Sequence, residues 1–232
     1  MKTIENFMKN DFEMIEGWCS GYMQQYSQLI DAYHKDENVN GGIAEIGVHH
    51  GKFFILLNWL TEKNEESYAI DLFDDQHLNI DQSGCGSLEI FKKNLLEFDK
   101  HQGNNVNIVI ADSTTYPLEK DILKPVRIFS VDGGHTVEHT LSDLKLAHKL
   151  IHKQGVVILD DITNMHWLGV IEGCIRFLEQ KPTLVPFAIG QNKMFLCNLS
   201  YADSYKNIFK NSGYSSKDDV MLCGHKIIAL HH

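Results

Sequence analysis

The sequence predicts a doubly wound α/β fold with a mostly parallel sheet, and three observations support this class. Short apolar runs alternate with longer segments of helical periodicity, as in sheets that helices cover on both faces. The runs are rich in β-branched residues and nearly continuous, which is typical of strands buried on both faces. After Pro182 two further runs flank a turn-like triplet at 190–192, which predicts a terminal antiparallel hairpin.

The predicted elements follow in chain order through 232 residues. A helical N-terminal extension (1–40) precedes a cofactor-binding core (40–198), and a C-terminal extension (199–232) follows with a helix near 202–211 and a strand near 226–230. Neither extension has the pattern of an independent domain, so we expect a single domain. The predicted core strands are 43–46, 68–72, 106–111, 126–131, 156–159, 184–189 and 193–197. The predicted core helices are 52–62, 86–100, 137–152 and 168–180.

Composition restricts the classes of partner. The net charge is −10, from 21 basic and 31 acidic residues, and an acidic surface repels phosphate backbones, so we expect no nucleic acid partner. The five cysteines form no C-x-x-C pair, which argues against a zinc knot and favours reduced thiols in the cytoplasm. No apolar run approaches the length of a membrane span, and the N-terminus lacks the features of a secretory signal. We assign no function to His231 and His232.

The loop after the first predicted strand has the residues of a ligand-binding turn. Glu45 lies near the end of the strand, and Gly47 and Gly51 precede a helix. In doubly wound sheets ligands bind beyond the carboxyl ends of the strands, where glycines allow close approach and helix N-termini attract negative groups. Because His49 interrupts the pattern, the spacing is E-x-G-x-x-x-G rather than G-x-G-x-x-G, which argues against a nicotinamide oxidoreductase.

Polar side chains end the next two predicted strands. Asp71 lies 24 residues after Gly47, at a place where an acid typically binds ribose hydroxyls. Asp112 and Ser113 follow the third strand. Each feature alone is more often an ordinary turn or cap, but three at successive strand ends favour a common ligand site.

A second group of acids follows the fourth and fifth predicted strands. Asp132 follows the fourth strand, and Asp160 and Asp161 follow the fifth. One helix joins these strands, so we expect them to be parallel neighbours about 4.8 Å apart, with converging carboxylates. Such carboxylates repel one another unless a cation lies among them, and oxygen ligands favour Mg²⁺, with Mn²⁺ or Ca²⁺ as alternatives. An Asp-Asp pair after a strand is, taken alone, equally typical of a helix cap.

His135 follows Asp132 by three residues and begins the next predicted helix. Gly133 and Gly134 allow the chain to turn away and leave the acids open to a substrate. The helix dipole and a neighbouring cation both disfavour an imidazolium, so we expect a neutral imidazole that accepts a proton near pH 7. Taken alone, such a histidine is more often a surface or cap residue.

Together these motifs resemble class I S-adenosylmethionine-dependent methyltransferases over roughly residues 40–198. The similarity is greatest to the bacterial branch of metal-dependent sugar O-methyltransferases of macrolide and aminocoumarin biosynthesis, the macrocin type. It implies a Rossmann-like seven-stranded sheet with six parallel strands and one antiparallel strand. The segments that carry the resemblance are AEIGVHHGKF, AIDLF, VDGGHTVEHTLSDL, VILDDITNMHWLGVIEGCIRFL and PFAIGQNKMFLC.

The resemblance also implies residue roles. His135 matches the general base, where catechol-type relatives have a lysine, and Asp132 acts beside it in catalysis. The implied metal ligands are Asp132, Asp160 and Asp161. The implied residues that bind S-adenosylmethionine are Glu45, Gly47, Val48, His49, Gly51, Asp71, Leu72, Asp112, Ser113 and Asp132. Two positions depart from the family pattern, since His49 replaces a glycine and Leu168 stands where Trp-Pro-Gly-Val has proline.

The leading prediction is therefore a divalent-metal-dependent O-methyltransferase that acts on a hydroxyl of a small molecule, such as a sugar or another diol. The metal would orient the acceptor and lower the pKa of its hydroxyl, and His135 would take the proton. The alternatives are a metal-dependent hydrolase, such as a phosphoesterase, and a non-catalytic cofactor-binding protein. We expect no membrane partner, and the oligomeric state stays open because such enzymes often self-associate.

Overall fold

The computed structural model of the chain describes residues 3–230, so His231 and His232 lie outside the described residues. The α-helices are α1 (Ile4–Asn10), α2 (Tyr22–Asp36), α3 (Lys52–Asn58), α4 (Leu88–Phe98), α5 (Val137–Leu150), α6 (Leu168–Glu179) and α7 (Ala202–Ser212). The strands are β1 (Gly42–Ile46), β2 (Ser67–Asp71), β3 (Val106–Ile110), β4 (Val126–Val131), β5 (Ile151–Leu159), β6 (Leu184–Gly190), β7 (Lys193–Asn198), β8 (Ser215–Leu222) and β9 (His225–Leu230). Short 3₁₀ helices occur at Phe12–Met14, Gln76–Leu78, Leu118–Lys120 and Leu199–Tyr201.

The strands form one mostly parallel sheet in the order β3-β2-β1-β4-β5-β7-β6-β9-β8. Strands β1 to β5 pair in parallel, and β7 lies antiparallel between β5 and β6. The predicted fold class and the antiparallel hairpin are confirmed.

The predicted number of seven strands is wrong, because the described residues form nine. Strand β9 pairs in parallel with β6 at Ala188↔Ile228, and β8 pairs antiparallel with β9. The expected strand near 226–230 is therefore β9, whereas β8 was not predicted. Its sequence, SSKDDVML, lacks the apolar pattern of a buried strand, and it lies at the edge of the sheet, where polar residues are tolerated.

Helices cover both faces of the sheet. Aromatic side chains from α1, α2, α4 and α7, among them Phe7, Tyr26, Phe91 and Phe209, pack with α3 against one face. Helices α5 and α6 cover the other face, where Leu144 and Phe177 are buried. The predicted division into a core and two extensions stays a prediction, although helices of both extensions contribute to the same hydrophobic cluster as α3.

Within residues 3–230, none of the helices has the length and apolarity needed to span a membrane.

Candidate active site

The register of the sheet brings the ends of its strands to one edge. Ile46 of β1 lies opposite Ile70 of β2 and Val131 of β4, and Val131 lies opposite Leu159 of β5. A pocket of about 590 Å³ opens at this edge, a size typical of small-molecule sites. The residues at or after the strand ends that line it include Gly47, His49, Asp71, Leu72, Asp112, Ser113, Asp132, Asp160 and Asp161.

Two glycines shape the loop between β1 and α3. Gly47 has φ +84°, and a Cβ atom there would lie 1.7 Å from the carbonyl oxygen of Asp132. Gly51 has φ +90°, and a Cβ there would lie 2.7 Å from the ring of Phe91. Both positions therefore require glycine for backbone conformation and for space.

His49 adopts the left-handed conformation, with φ 54°. Its backbone N–H donates to Asp71 Oδ2 at 2.8 Å, and the N–H of Phe73 donates to Asp71 Oδ1 at 2.5 Å. Burial raises the pKa of Asp71, and these backbone hydrogen bonds oppose that increase. Asp71 thus holds two loops of the pocket together, and its contact with a ribose stays a prediction.

The remaining predicted cofactor residues divide into two groups. Asp112 and Ser113 line the pocket, and Asp112 Oδ1 accepts hydrogen bonds from the backbone and the hydroxyl of Thr114 at 2.8 and 2.6 Å. Glu45 and Val48 are buried, with 1% and 4% of their surfaces exposed, and are not among the residues that line the pocket. Burial raises the pKa of Glu45 to about 8. Gly51 likewise acts through the loop's shape rather than from the pocket wall.

His135 lies between two carboxylates. Its Nδ1 is 2.8 Å from Asp81 Oδ2, and its Nε2 is 2.9 Å from Asp161 Oδ2. The backbone N–H of His135 donates to the same Asp81 oxygen at 2.7 Å, and the Trp167 ring stacks on the imidazole at a centroid distance of 4.4 Å. Asp161 also accepts hydrogen bonds from the side-chain amides of Asn164 and Asn192. The imidazole is therefore fixed on both edges and on one face.

The pKa of His135 differs from the sequence-based expectation. Burial alone lowers the pKa, but the hydrogen bonds and charges of Asp161 and Asp81 outweigh burial and raise it above the ordinary value. The prediction that the surroundings disfavour an imidazolium is wrong, because it did not include Asp81. A stabilised imidazolium makes neutral His135 a stronger base.

Asp160 has a different partner, Lys193. Strand β7 runs antiparallel to β5, so its first residue, Lys193, lies at the edge where β5 ends. The Lys193 side chain is 3% exposed, and its Nζ donates a hydrogen bond to Asp160 Oδ2. Burial would lower the pKa of Lys193, but Asp160 and Asp132 outweigh burial and raise it, so the ammonium stays charged.

Asp132 is half-buried between two acids, Asp160 and Asp161, and the β1 loop. Burial, with the charges of Asp160, Glu45 and Asp161, raises the pKa of Asp132 well above its ordinary value, while Lys193 opposes the increase. The cluster thus retains more acidic than basic groups.

The predicted metal ligands do not act as one set. Ligand atoms of Asp132, His135 and Asp161 lie within 4.8 Å of one another, but Asp160 is not part of this group. Asp160 forms an ion pair with the Lys193 ammonium, and Asp161 lies at hydrogen-bond distance from the His135 imidazole. Each of the two acids therefore already has a partner. This arrangement does not fit a divalent ion held by Asp132, Asp160 and Asp161, and metal binding stays a prediction from the sequence.

Sequence reasoning missed Asp81, Ser83 and Lys193. Asp81 and Ser83 lie in the segment between β2 and α4, FDDQHLNIDQSGCGS, whose density of acids and glycines was an available signal. Ser83 Oγ lies 3.2 Å from His135 Nδ1. Lys193 was predicted only as part of a strand, although a lysine at the start of the antiparallel strand faces the same edge as the acids.

The mouth of the pocket is apolar and aromatic. Trp18, from the N-terminal extension, is 77% exposed, and its ring centroid lies 5.5 Å from that of His49. Leu78 and Ile80, from the segment after β2, are also exposed and line the pocket. These side chains offer a surface for the apolar part of a bound molecule.

The α/β sheet, the glycine loop after β1 and the polar pocket at its edge define a class I methyltransferase. The sequence profile of the family described as methyltransferase domain matches residues 44–162, just over half of the chain. The chain therefore belongs to this family of methyltransferase domains, the class that its motifs predict.

Three solved structures are similar in fold. The O-methyltransferase NovP has a TM-score of 0.59 at 15% identity and covers 76% of this chain and 80% of its own. CalS11, described as a TDP-rhamnose 3'-O-methyltransferase of calicheamicin biosynthesis, has a TM-score of 0.55 at 15% identity. The match covers 83% of this chain and 85% of CalS11. The third is TomG from Streptomyces achromogenes, described as an O-methyltransferase involved in tomaymycin synthesis, in complex with S-adenosylmethionine. It has a TM-score of 0.54 at 14% identity, and the match covers 84% of this chain and 87% of TomG. At these identities the similarity shows the fold alone.

One curated relative is an uncharacterized protein of Acanthamoeba polyphaga mimivirus, 28% identical over 86 residues. The match covers 36% of this chain and 38% of the relative, so the chain spans well under two thirds of that protein's length.

Proposed function

We propose that the chain transfers the methyl group of S-adenosylmethionine to a hydroxyl oxygen of a small molecule, with a sugar or another diol-like compound as the acceptor. The observation that carries this proposal is a single pocket that contains both the β1 loop and His135 with its two carboxylates. The descriptions of NovP, CalS11 and TomG as O-methyltransferases support oxygen as the acceptor atom. The net charge of −10 favours a small molecule over a nucleic acid.

In the proposed step, the acceptor oxygen attacks the sulfonium methyl group in line with the breaking S–C bond. The O–C bond forms while the S–C electron pair stays on sulfur, which gives S-adenosylhomocysteine. The acceptor hydroxyl takes the place of Asp161 as the partner of Nε2 in neutral His135 and passes its proton to that nitrogen. Asp81, which accepts from Nδ1–H, and the neighbouring Asp161 stabilise the imidazolium that results. The protein's main contribution is the alignment of the two reactants and the removal of this proton. The step includes no metal ion, because Lys193 and His135 already partner the two acids after β5.

Calorimetry with S-adenosylmethionine and turnover on a panel of sugars and diols test the proposal. We expect the cofactor to bind and the wild type to release S-adenosylhomocysteine with at least one hydroxyl acceptor. His135→Gln and Asp81→Asn are expected to bind the cofactor normally but to lose about 100-fold or more in kcat, because they remove the base or the carboxylate that orients it. Normal turnover by His135→Gln would contradict the assigned base. Failure of the wild type to bind the cofactor would contradict the whole proposal and favour a hydrolase.

The cytoplasmic location and self-association expected from the sequence stay predictions, as do the acceptor and the ribose contact of Asp71.

A further inference from the structure

Lys193 is a buried cation in an unusual place for a lysine. Lysine is almost never fully buried unless it is paired, and the Lys193 side chain is 3% exposed. Its Nζ donates to Asp160 Oδ2 and lies 4.7 Å from the centroid of the Phe53 ring. Both contacts stabilise a positive charge at a fixed position.

The surroundings of Lys193 are strongly acidic. Lys193 lines the same pocket as Asp160 and Asp132, which follow the paired parallel strands β5 and β4. The charges of these two acids raise the pKa of the ammonium, which keeps it charged. Lys193 thus lies beside two carboxyl groups from the ends of two neighbouring strands. A cation at this point offsets the repulsion between those of the carboxylates that stay charged.

We propose that the Lys193 ammonium supplies the positive charge that a divalent metal would otherwise supply at Asp160 and Asp132. Methyl transfer then proceeds without a metal. This inference rests on the proposed function for its catalytic consequence. Lys193 is a positioning residue: it holds Asp160 and Asp132 in place beside His135 and acts on the acceptor through them.

The tethered ammonium and a metal bound to Asp160 exclude each other on physical grounds. An ion that bound Asp160 would have to displace the Lys193 hydrogen bond and would then lie beside a charge of the same sign in a region of low dielectric. The ammonium stays near Asp160, because the backbone of Lys193 is paired with Gly190 in the sheet and its side chain is 3% exposed. A metal-binding variant should therefore arise when the ammonium alone is removed.

The first experiment measures metal binding by the wild type. Mn²⁺ is added to the full chain, and the free ion is followed by electron paramagnetic resonance, with turnover measured in the presence of EDTA. We expect no site tighter than about 1 mM, and unchanged turnover in EDTA. Stoichiometric binding at micromolar Mn²⁺, or turnover that EDTA abolishes and Mg²⁺ restores, would overturn the inference.

The second experiment removes the ammonium in Lys193→Met. We expect this variant to bind one Mn²⁺ at least tenfold more tightly than the wild type and to gain thermal stability on addition of Mg²⁺, because the uncompensated acids recruit an ion. Lys52→Met is the matched control, because Lys52 is also buried. Its Nζ lies 2.9 Å from Glu13 Oε2 and 4.7 Å from the ring centroid of Phe12, so it has a carboxylate partner and an aromatic ring, as Lys193 has. It should gain no Mn²⁺ site. Gain of the same site in both variants, or in neither, would overturn the inference.

A third variant covers the case in which Lys193→Met does not fold. The double variant Asp160→Asn with Lys193→Met removes both charges of the pair, so it should fold and melt cooperatively even where Lys193→Met does not, and at a higher temperature where both variants fold. A double variant no more stable than the single one would overturn the inference. Metal binding and melting need no substrate, so these results stand apart from the proposed function, which fails separately if the wild type does not bind S-adenosylmethionine.

Discussion

The backbone of Gly47 lies directly against the carbonyl of Asp132, and no side chain fits between them. The contact joins the end of β1 to the end of β4, which are the strands that carry the cofactor loop and the first acid of the cluster. A substitution at Gly47 therefore affects both halves of the site. Gly213 has a similar φ, +81°, but no atom of the side chains and backbone that the structure describes lies within 4 Å of its Cβ position. The two glycines therefore separate the effect of close packing from that of backbone conformation.

We predict that Gly47→Ala lowers the free energy of unfolding by about 3 kcal/mol or more, because the new methyl group overlaps a backbone oxygen. Gly213→Ala should cost only about 1 kcal/mol, which is the cost of a left-handed alanine. Urea denaturation of both variants measures the difference. Equal losses in the two variants would show that the Gly47 contact is not the source of the effect.

Residues that follow the ends of the parallel strands were identified at this site, and residues supplied by a connecting segment or by the antiparallel strand were not. The acids and His135 follow strand ends in a recognisable order, so their meeting at one edge follows from the fold class. The contact of His135 with Asp81 spans 54 positions, and that of Lys193 with Asp160 spans 33. Such contacts depend on how a loop or an antiparallel strand returns to the edge, which local periodicity does not specify. For this reason the sequence predicts a lowered pKa for His135, whereas the pKa is raised.

At the scale of elements, two segments outside the regular sheet complete the pocket. The segment between β2 and α4 supplies Asp81 and Ser83 to His135, and the segment between α1 and α2 supplies Trp18, Cys19 and Ser20 to the pocket wall. The strands hold the residues that the chemistry requires in register. The two connecting segments surround the space left for the acceptor, so they are expected to determine which acceptor binds.

We predict that Trp18→Ala raises the KM for the acceptor about tenfold, equivalent to about 1.4 kcal/mol of lost contact, with little change in kcat. The free energy of unfolding should change by less than about 0.5 kcal/mol, because Trp18 is 77% exposed. Leu199→Ala is the control, since Leu199 is 62% exposed and is not among the residues that line the pocket. Steady-state kinetics on an acceptor found with the panel of sugars and diols, with urea denaturation, check both values. An unchanged KM would remove Trp18 from the acceptor site.

The elements themselves were largely predictable, and the exceptions have physical causes. Strands buried between two layers of helices require continuous apolar residues, so β1, β2, β4 and β7 were readily identified. The N-terminal half of β5 was not, because Ile151 is followed by the polar residues His152, Lys153 and Gln154. Strand β8 was missed for a related reason, since an edge strand has fewer positions that must be apolar.

At the scale of the whole molecule, a buried polar network joins the N-terminal helices to the sheet and to the C-terminal helix. Arg127 of β4 donates to the carbonyl oxygens of Gly41 and Leu60 at 2.8 and 2.9 Å and lies 2.9 Å from Asp31 of α2. Its Nη1 also lies 3.2 Å from Nδ1 of His34. An arginine can only donate, so Nδ1 of His34 accepts, and Nε2 carries the hydrogen that faces Tyr205 Oη at 2.8 Å. Protonation of His34 would break this arrangement.

Burial, with the neighbouring charge of Arg127, lowers the pKa of His34 to about 3 in the folded chain. The unfolded chain has a histidine pKa of about 6.5, so below that pH unfolding takes up one proton at this position. The stabilisation from neutral His34 is therefore complete above pH 6.5 and decreases as the pH falls towards 3, by about 1.4 kcal/mol per pH unit.

We predict that the difference in unfolding free energy between the wild type and His34→Asn shrinks by about 2 kcal/mol between pH 6.5 and 5, because asparagine accepts from Arg127 but has no titrating proton. Urea denaturation at several pH values measures this difference. His77→Asn, at an exposed histidine, is the control and should show a difference from the wild type that stays nearly constant over the same range. A constant difference for His34→Asn as well would mean that His34 accepts a proton in the folded chain, and that the network between α2, β4 and α7 adjusts to a second positive charge. The acid sensitivity of the fold would then have to arise from other groups. The predicted result instead assigns about 2 kcal/mol of it to the contact of His34 with Arg127, which joins the N-terminal extension to the sheet.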